Sequence, residues 1–300
     1  MKNSKFGRGT TADQVLAGID LTGKRMLVTG CDSGIGLEIL NAFAANGATV
    51  IGAARTLEAA SRACAAANPR CIPIACDLAN FESIAAALAA IRGLKFSLDA
   101  IVANAGIANL ADLETRYGVE LQFLTNHIGH FMLVNGLLDL VRDGSGRIVT
   151  VSSKAGVRAA PKEGIMFDNL DGRRFYEPAA FYAQSKLANA LYAKELSRRL
   201  SGRGIAVNSA DPGTARTKLN PRFASRLFAK TAAQAAATPA LLAASPLASG
   251  ITGEYWRNCK ISESNALLAD AALAARLWNV SQQILERRRE PRDLSLQQAA

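Results

Sequence analysis

Six short apolar runs, separated by longer alanine- and leucine-rich segments, constrain this chain most. Arg25–Thr29, Ala48–Ala54, Cys71–Cys76, Asp99–Ala103, Arg147–Val151 and Ile205–Ser209 each read as a β-strand. Pro73, inside the third run, points to weaker or edge pairing, because proline cannot donate to a sheet ladder. The intervening segments have the composition of helices, Ser83–Ile91 above all. Alternation of this kind predicts βαβ units, and hence a parallel sheet with helices on both faces. The strands then need to be apolar on both sides, as these are. The expected fold class is α/β: a single-domain, doubly wound parallel sheet. With 300 residues, 49% of them apolar, the chain can bury a large core. No linker divides it and no period repeats. The expected organisation is an N-terminal arm over 1–22, one domain over 23–290 and a short tail over 291–300.

Charge and cysteine content bound the function classes. Lys and Arg number 35 against 25 acids, a net charge of +10. Such a surface attracts phosphorylated cofactors, nucleic acid or acidic membrane. Aromatic residues do not interleave with the basic ones as single-strand binding requires, so no nucleic-acid partner is expected. No apolar run approaches the roughly 18 residues of a membrane span, and the basic N-terminus lacks the apolar stretch of a secretory signal. The five cysteines form no CxxC pair and are not spaced with His127 and His130 as metal ligands would be. Reduced thiols, a cytoplasmic location and no metal are the expectation.

Chemistry first appears at Gly30-Cys31-Asp32-Ser33-Gly34-Ile35-Gly36, between the first strand and a helix. Glycines there let the backbone approach a pyrophosphate, and the helix N-terminus adds N–H donors and positive potential. Arg55 ends the second strand, where an acid would hold the ribose hydroxyls of NAD(H). An arginine suits the 2′-phosphate, so NADP(H) is expected over NAD(H), although Asp32 adds a negative charge nearby. Tyr182 and Lys186 are four residues apart, so on a helix they share a face. A lysine cation beside a phenol favours the phenolate, which would let Tyr182 exchange a proton near neutral pH. Two segments are expected to wall a pocket. One is the 28 residues between Ser153 and Tyr182, which carry Ile165-Met166-Phe167 and Phe175-Tyr176. The other is 214–230, where apolar and basic residues interleave. It is read as a lid, with a surface connection and a membrane-lying stretch as rival readings.

Thr29-Gly30-x-x-x-Gly34-Ile35-Gly36, Asn104-Ala105-Gly106, Ser152-Ser153, Tyr182-x-x-x-Lys186 and Asp211-Pro212-Gly213 occur in this order. In order and spacing they resemble the short-chain dehydrogenase/reductase family, over about residues 20–285. Asn126-His127-Ile128-Gly129-His130-Phe131, Tyr182–Asn189 and Gly253-Glu254-Tyr255-Trp256 resemble its retinol dehydrogenase-like branch, and Phe6–Asp20 resembles the leader of soluble bacterial members. The resemblance implies a Rossmann-type fold and an oxidoreductase. In it Tyr182 is the general acid/base, Lys186 also bonds the nicotinamide ribose, Ser153 rather than Ser152 holds the substrate oxygen, and Asn126 supports a water relay. It places Asp77 and Leu78 at the adenine, Asn104, Ala105 and Gly106 beside the adenosine ribose, and Pro212, Gly213 and Thr217 at the nicotinamide. It also puts His127 and His130 behind the site in structural roles, and family habit suggests homo-oligomers. The expected activity is hydride transfer between NADP(H) and a lipophilic or aromatic aldehyde, ketone or alcohol. A non-catalytic NADP(H)-sensing protein of the same fold is the alternative.

Overall fold

The computed structural model describes residues 5–67, 70–216, 229–262 and 266–287. The described elements run α1 (Ala12–Leu16), β1 (Arg25–Thr29), α2 (Gly34–Ala45), β2 (Thr49–Ala54), α3 (Leu57–Ala67), β3 (Ile72–Ala75), α4 (Phe81–Gly93) and β4 (Ala100–Ala103). A two-residue hairpin, β5 (Thr115–Arg116) and β6 (Val119–Glu120), follows. It leads into a composite helix of α5 (Leu121–Phe123), a π-turn (Leu124–Ile128) and α6 (Gly129–Asn135). The second half holds β7 (Arg147–Val151), α7 (Lys154–Arg158), α8 (Pro178–Arg199), β8 (Ala206–Asp211) and α9 (Ala232–Ala244). It closes with β9 (Tyr255–Arg257), β10 (Lys260–Ile261), α10 (Ala266–Ala269) and α11 (Ala271–Arg287).

The sheet order is β10-β9-β8-β7-β4-β1-β2-β3, with every pairing parallel except β10 on β9. All six strands read from the sequence are present, and β3, with Pro73, lies at the edge. The order reverses at β1, which has β2 on one side and β4 on the other, so a crevice opens beyond Thr29 and Ala103.

Side chains alternate between the faces, as strand geometry demands. Leu27, Ile101 and Ile148 join one buried layer with α4, α6, α8 and α11. Met26, Val28, Val102 and Val149 join the other with α1, α2, α3 and α9. This is the doubly wound arrangement expected. The N-terminal arm contributes to the second layer. Thr11 and Gln14 form a capping box at the start of α1, and Val15, Leu16 and Leu21 are buried. Among the described residues no helix is long and apolar enough to cross a membrane.

Candidate active site

The C-terminal ends of the parallel strands converge on two adjoining cavities. The first, about 460 Å³, is lined by the glycine turn, Arg55, Asp77, Leu78, Asn104–Ile107, Tyr182, Lys186 and Pro212. The second, about 440 Å³, is lined by Ser153, Lys154, Ala155, Arg158, Tyr182, Asp211–Ala215 and Arg257, with Ile35 and Ala108. Ile35, Tyr182 and Pro212 border both.

The first cavity has the features of a dinucleotide cradle. Gly30 and Gly34 have positive φ, +66° and +53°, which turn the backbone sharply into α2. Gly36 is forced by space: a Cβ there would lie 2.0 Å from the Gly30 carbonyl oxygen. Ser33 occupies the N-cap of α2 with no side-chain hydrogen bond to the first turn. The amides of that turn therefore have no partner inside the helix, and Ser33, Gly34 and Ile35 line the cavity, a ready site for a pyrophosphate. Gly106 similarly leaves space beside the Asn126 amide and the Lys186 ammonium.

A hydrogen-bond chain fixes the cradle from below. Thr29 Oγ1 accepts from the Asn104 and Ala105 amides at 2.9 and 3.0 Å, while Asn104 Nδ2 donates to the Thr29 carbonyl at 2.9 Å. His130 lies behind, its Nε2 2.8 Å from Thr29 Oγ1 and its Nδ1 2.9 Å from the Asn126 carbonyl. A carbonyl can only accept, so Nδ1 carries the proton and the Thr29 hydroxyl donates to Nε2. Burial holds the pKa of His130 down at about 4 and that of His127 at about 3, so both are neutral at pH 7.

Tyr182 and Lys186 project from α8, which is tied to β7 by polar contacts. The Val151 carbonyl accepts from Lys186 Nζ at 3.2 Å and from Asn189 Nδ2 at 3.1 Å. Ser152 Oγ donates to the Lys186 carbonyl at 2.7 Å. That bond separates the two serines: Ser152 is spent on α8, whereas Ser153 lines the second cavity with Tyr182. Ser153 Oγ accepts from the Ala155 amide at 3.2 Å, and its hydroxyl pairs with the Tyr182 side chain.

The expected electrostatics of the pair need correction. Burial pushes the Tyr182 phenol up to about 12; the Ser153 hydroxyl pulls it back and the Asp211 charge adds to the rise. Lys186 lies 5.8 Å from the centre of the Tyr182 ring, and its own burial brings it down to about 8. With both groups desolvated, the ammonium does not by itself bring the phenol near neutrality. Tyr182 holds its proton.

Gly30, Asp32, Ser33, Gly34, Ile35, Arg55, Asp77, Leu78, Asn104, Ala105, Gly106, Tyr182, Lys186 and Pro212 all line the first cavity. Gly36 is buried beneath the turn and Gly213 lines the second cavity. Thr217 lies outside the described residues. Asn126 lines neither cavity. Its side chain joins the Ile107 amide and carbonyl and the Ser185 hydroxyl at 2.8 to 2.9 Å, in the π-turn against α8.

The proposed apolar walls between Ser153 and Tyr182 lie elsewhere. Ile165 and Met166 are buried, the Met166 amide donating to Gln184. Arg276 covers Phe167, Tyr176 donates to the Leu110 carbonyl, and Phe175 is exposed. Their hydrophobicity serves the core and neighbouring contacts. Only the start of that segment, Lys154 to Arg158, reaches the second cavity. Of the expected lid, Thr214 and Ala215 line the cavity, and Lys230 exchanges backbone bonds with Thr214 and Arg216. The apolar residues Leu219, Phe223, Leu227 and Phe228 fall outside the described residues. Arg257, absent from the sequence reading, forms an ion pair with Asp211 at 3.1 Å. Nothing in its local sequence marks it, because β9 reaches this sheet edge only through the fold.

A family model for the short chain dehydrogenase matches residues 24–165. Human retinol dehydrogenase 14 is 36% identical over 87% of this chain and 85% of its own length. This chain belongs to the short-chain dehydrogenase/reductase family. The chloroplastic short-chain dehydrogenase TIC 32 B of Brassica napus is 34% identical, covering 94% of this chain and 95% of its own. A Burkholderia cenocepacia short-chain dehydrogenase, solved in complex with NADP, superposes with a TM-score of 0.65 at 28% identity, over 79% of this chain and 96% of that one. The family protein described here is therefore an NAD(P)-dependent oxidoreductase of retinol dehydrogenase-like type.

Proposed function

We propose that this dehydrogenase reduces lipophilic or aromatic aldehydes and ketones with NADPH, Tyr182 acting as proton donor. The observation that carries this reading is the meeting of Ser153 and Tyr182 where the two cavities join. NADP(H), when bound, supplies or accepts the hydride at its nicotinamide. Arg55 lines the cradle beyond β2, where a guanidinium can grip a 2′-phosphate, and the solved relative carries NADP. The open first turn of α2 would receive the pyrophosphate, and Lys186 Nζ the ribose hydroxyls.

In the second cavity, a substrate carbonyl oxygen would take over the Ser153 hydroxyl bond that Tyr182 otherwise holds. Tyr182, protonated at neutral pH, donates to that same oxygen as charge builds on it. Lys186 then stands near the resulting phenolate as its balancing cation. Asn126 is a positioning residue here: it holds the Ile107 turn against α8.

The test is NADPH consumption with a panel of aromatic, aliphatic and long-chain unsaturated aldehydes. Tyr182→Phe should lower turnover by about 10³-fold while NADPH affinity stays nearly unchanged. Equal turnover in that variant removes Tyr182 as the donor. Tight NADPH binding with no consumption across the panel favours the sensing alternative.

A further inference from the structure

The second cavity carries more positive charge than a site for neutral carbonyl compounds needs. Lys154, Arg158 and Arg257 line it, and Asp211 is the one acid among its described lining residues. Asp211 is already committed, to Arg257 at 3.1 Å and to the Gly213 amide at 2.8 Å. That leaves Lys154 and Arg158, and among the described residues neither forms an ion pair. Among the described residues after β8, 212–216 and 229–230, there is no Asp or Glu.

The placement of these two cations is built into the fold. Between them, Gly156 packs so closely on α8 that a Cβ would lie 2.5 Å from the Leu187 amide nitrogen. Lys154 and Arg158, each two residues from Gly156, lie on the opposite face of the helix. They also repel each other, since like charges one turn apart destabilise a helix. Lys154 is half-buried and Arg158 exposed, so the pair sets a positive potential at the mouth of the cavity, immediately after Ser153.

Neither Lys154, Arg158 nor Arg257 lines the cradle that holds the glycine turn and Arg55. We propose that the substrate carries an anionic oxygen group, such as a carboxylate, which Lys154 and Arg158 receive while its carbonyl meets Ser153 and Tyr182. This rests on the oxidoreductase reading and narrows its substrate class to an apolar carbonyl compound with an acidic end. The apolar part of such a molecule would lie along Ile35, Ala108, Ala155 and Pro212.

The experiment compares 4-carboxybenzaldehyde with 4-methylbenzaldehyde under saturating NADPH. The acid should be preferred about tenfold in kcat/KM, and the preference should shrink as salt rises. Arg158→Gln and Lys154→Gln should each cut the ratio about threefold, and Arg158→Glu should invert it. A ratio near one, unmoved by these variants, overturns the proposal. A second measurement separates its failure from failure of the enzymatic reading. Benzoate and benzamide are titrated calorimetrically into the NADPH-saturated protein. Tighter benzoate binding that Arg158→Gln weakens upholds the anion site even if neither aldehyde turns over. Equal binding of the two overturns it whatever the turnover.

Discussion

At the residue scale, the site's chemistry was legible where a function demands a particular residue at a particular place. Gly36 is required by the 2.0 Å approach of a backbone oxygen, and Tyr182 and Lys186 by a shared helical face. Arg257 was not legible, because its role depends on β9 lying beside β8, a contact that no local spacing announces. The proton balance of Tyr182 was also out of reach, since burial and not the neighbouring cation dominates it. With the phenol pushed up to about 12, reduction should hold a level kcat/KM from about pH 6 to 8. Oxidation should climb with pH over the same range. Initial rates in both directions would check this; reduction that declines steeply above pH 7 would contradict it. For the cofactor, Arg55→Asp should move the NADPH-to-NADH ratio of kcat/KM by about ten- to a hundredfold toward NADH. An unchanged ratio would put the 2′-phosphate elsewhere.

At the scale of elements, one buried histidine joins two parts of the site. His130 connects the end of β1, through Thr29, to the π-turn, through the Asn126 carbonyl. The family resemblance placed both histidines behind the site; burial and pairing explain why they are not acid/base groups. His127 adds a contact to Ser281 in α11 at 2.9 Å. Both have folded pKa values below the ordinary 6.5, so between the folded value and 6.5 the unfolded chain binds more protons. Their contribution is intact above 6.5 and is lost as pH falls toward 4 and 3. At pH 5 each should cost roughly 2 kcal/mol. Urea unfolding at pH 7.5 and 5 should show this drop, and it should shrink in His130→Gln, measured against that variant's own stability at pH 7.5. An equal drop in that variant would mean His130 titrates normally. The long segment before α8 taught the opposite lesson. Its apolar residues looked like pocket walls, yet hydrophobicity alone cannot say which cavity or core a loop fills.

Across the whole molecule, the strand rhythm was enough to give the sheet and its two helical layers. Strands buried on both faces leave a strong local mark. The short edge pieces β9 and β10 and the hairpin of β5 and β6 do not, because two or three residues carry too little pattern. The arm's place in the second layer was equally hidden, as five residues of α1 gain their order from α2 and α9. Leu16, fully buried there, should cost about 2 to 5 kcal/mol when replaced by alanine, read from chemical denaturation. A loss below about 0.5 kcal/mol would show that the arm is dispensable to the core. The two margins of the sheet differ in kind. At one, Cys76 turns its N–H inward to the Ala54 carbonyl, so residue 73, three positions earlier, faces its nitrogen outward. Because that residue is proline, this flank offers a gap where an incoming strand would seek a donor. At the other, β10 is only two residues long. Both flanks are thus poor templates for continuing the ladder into a neighbouring molecule. If copies of this chain assemble, helical surfaces rather than backbone zippering are the physical means left to them.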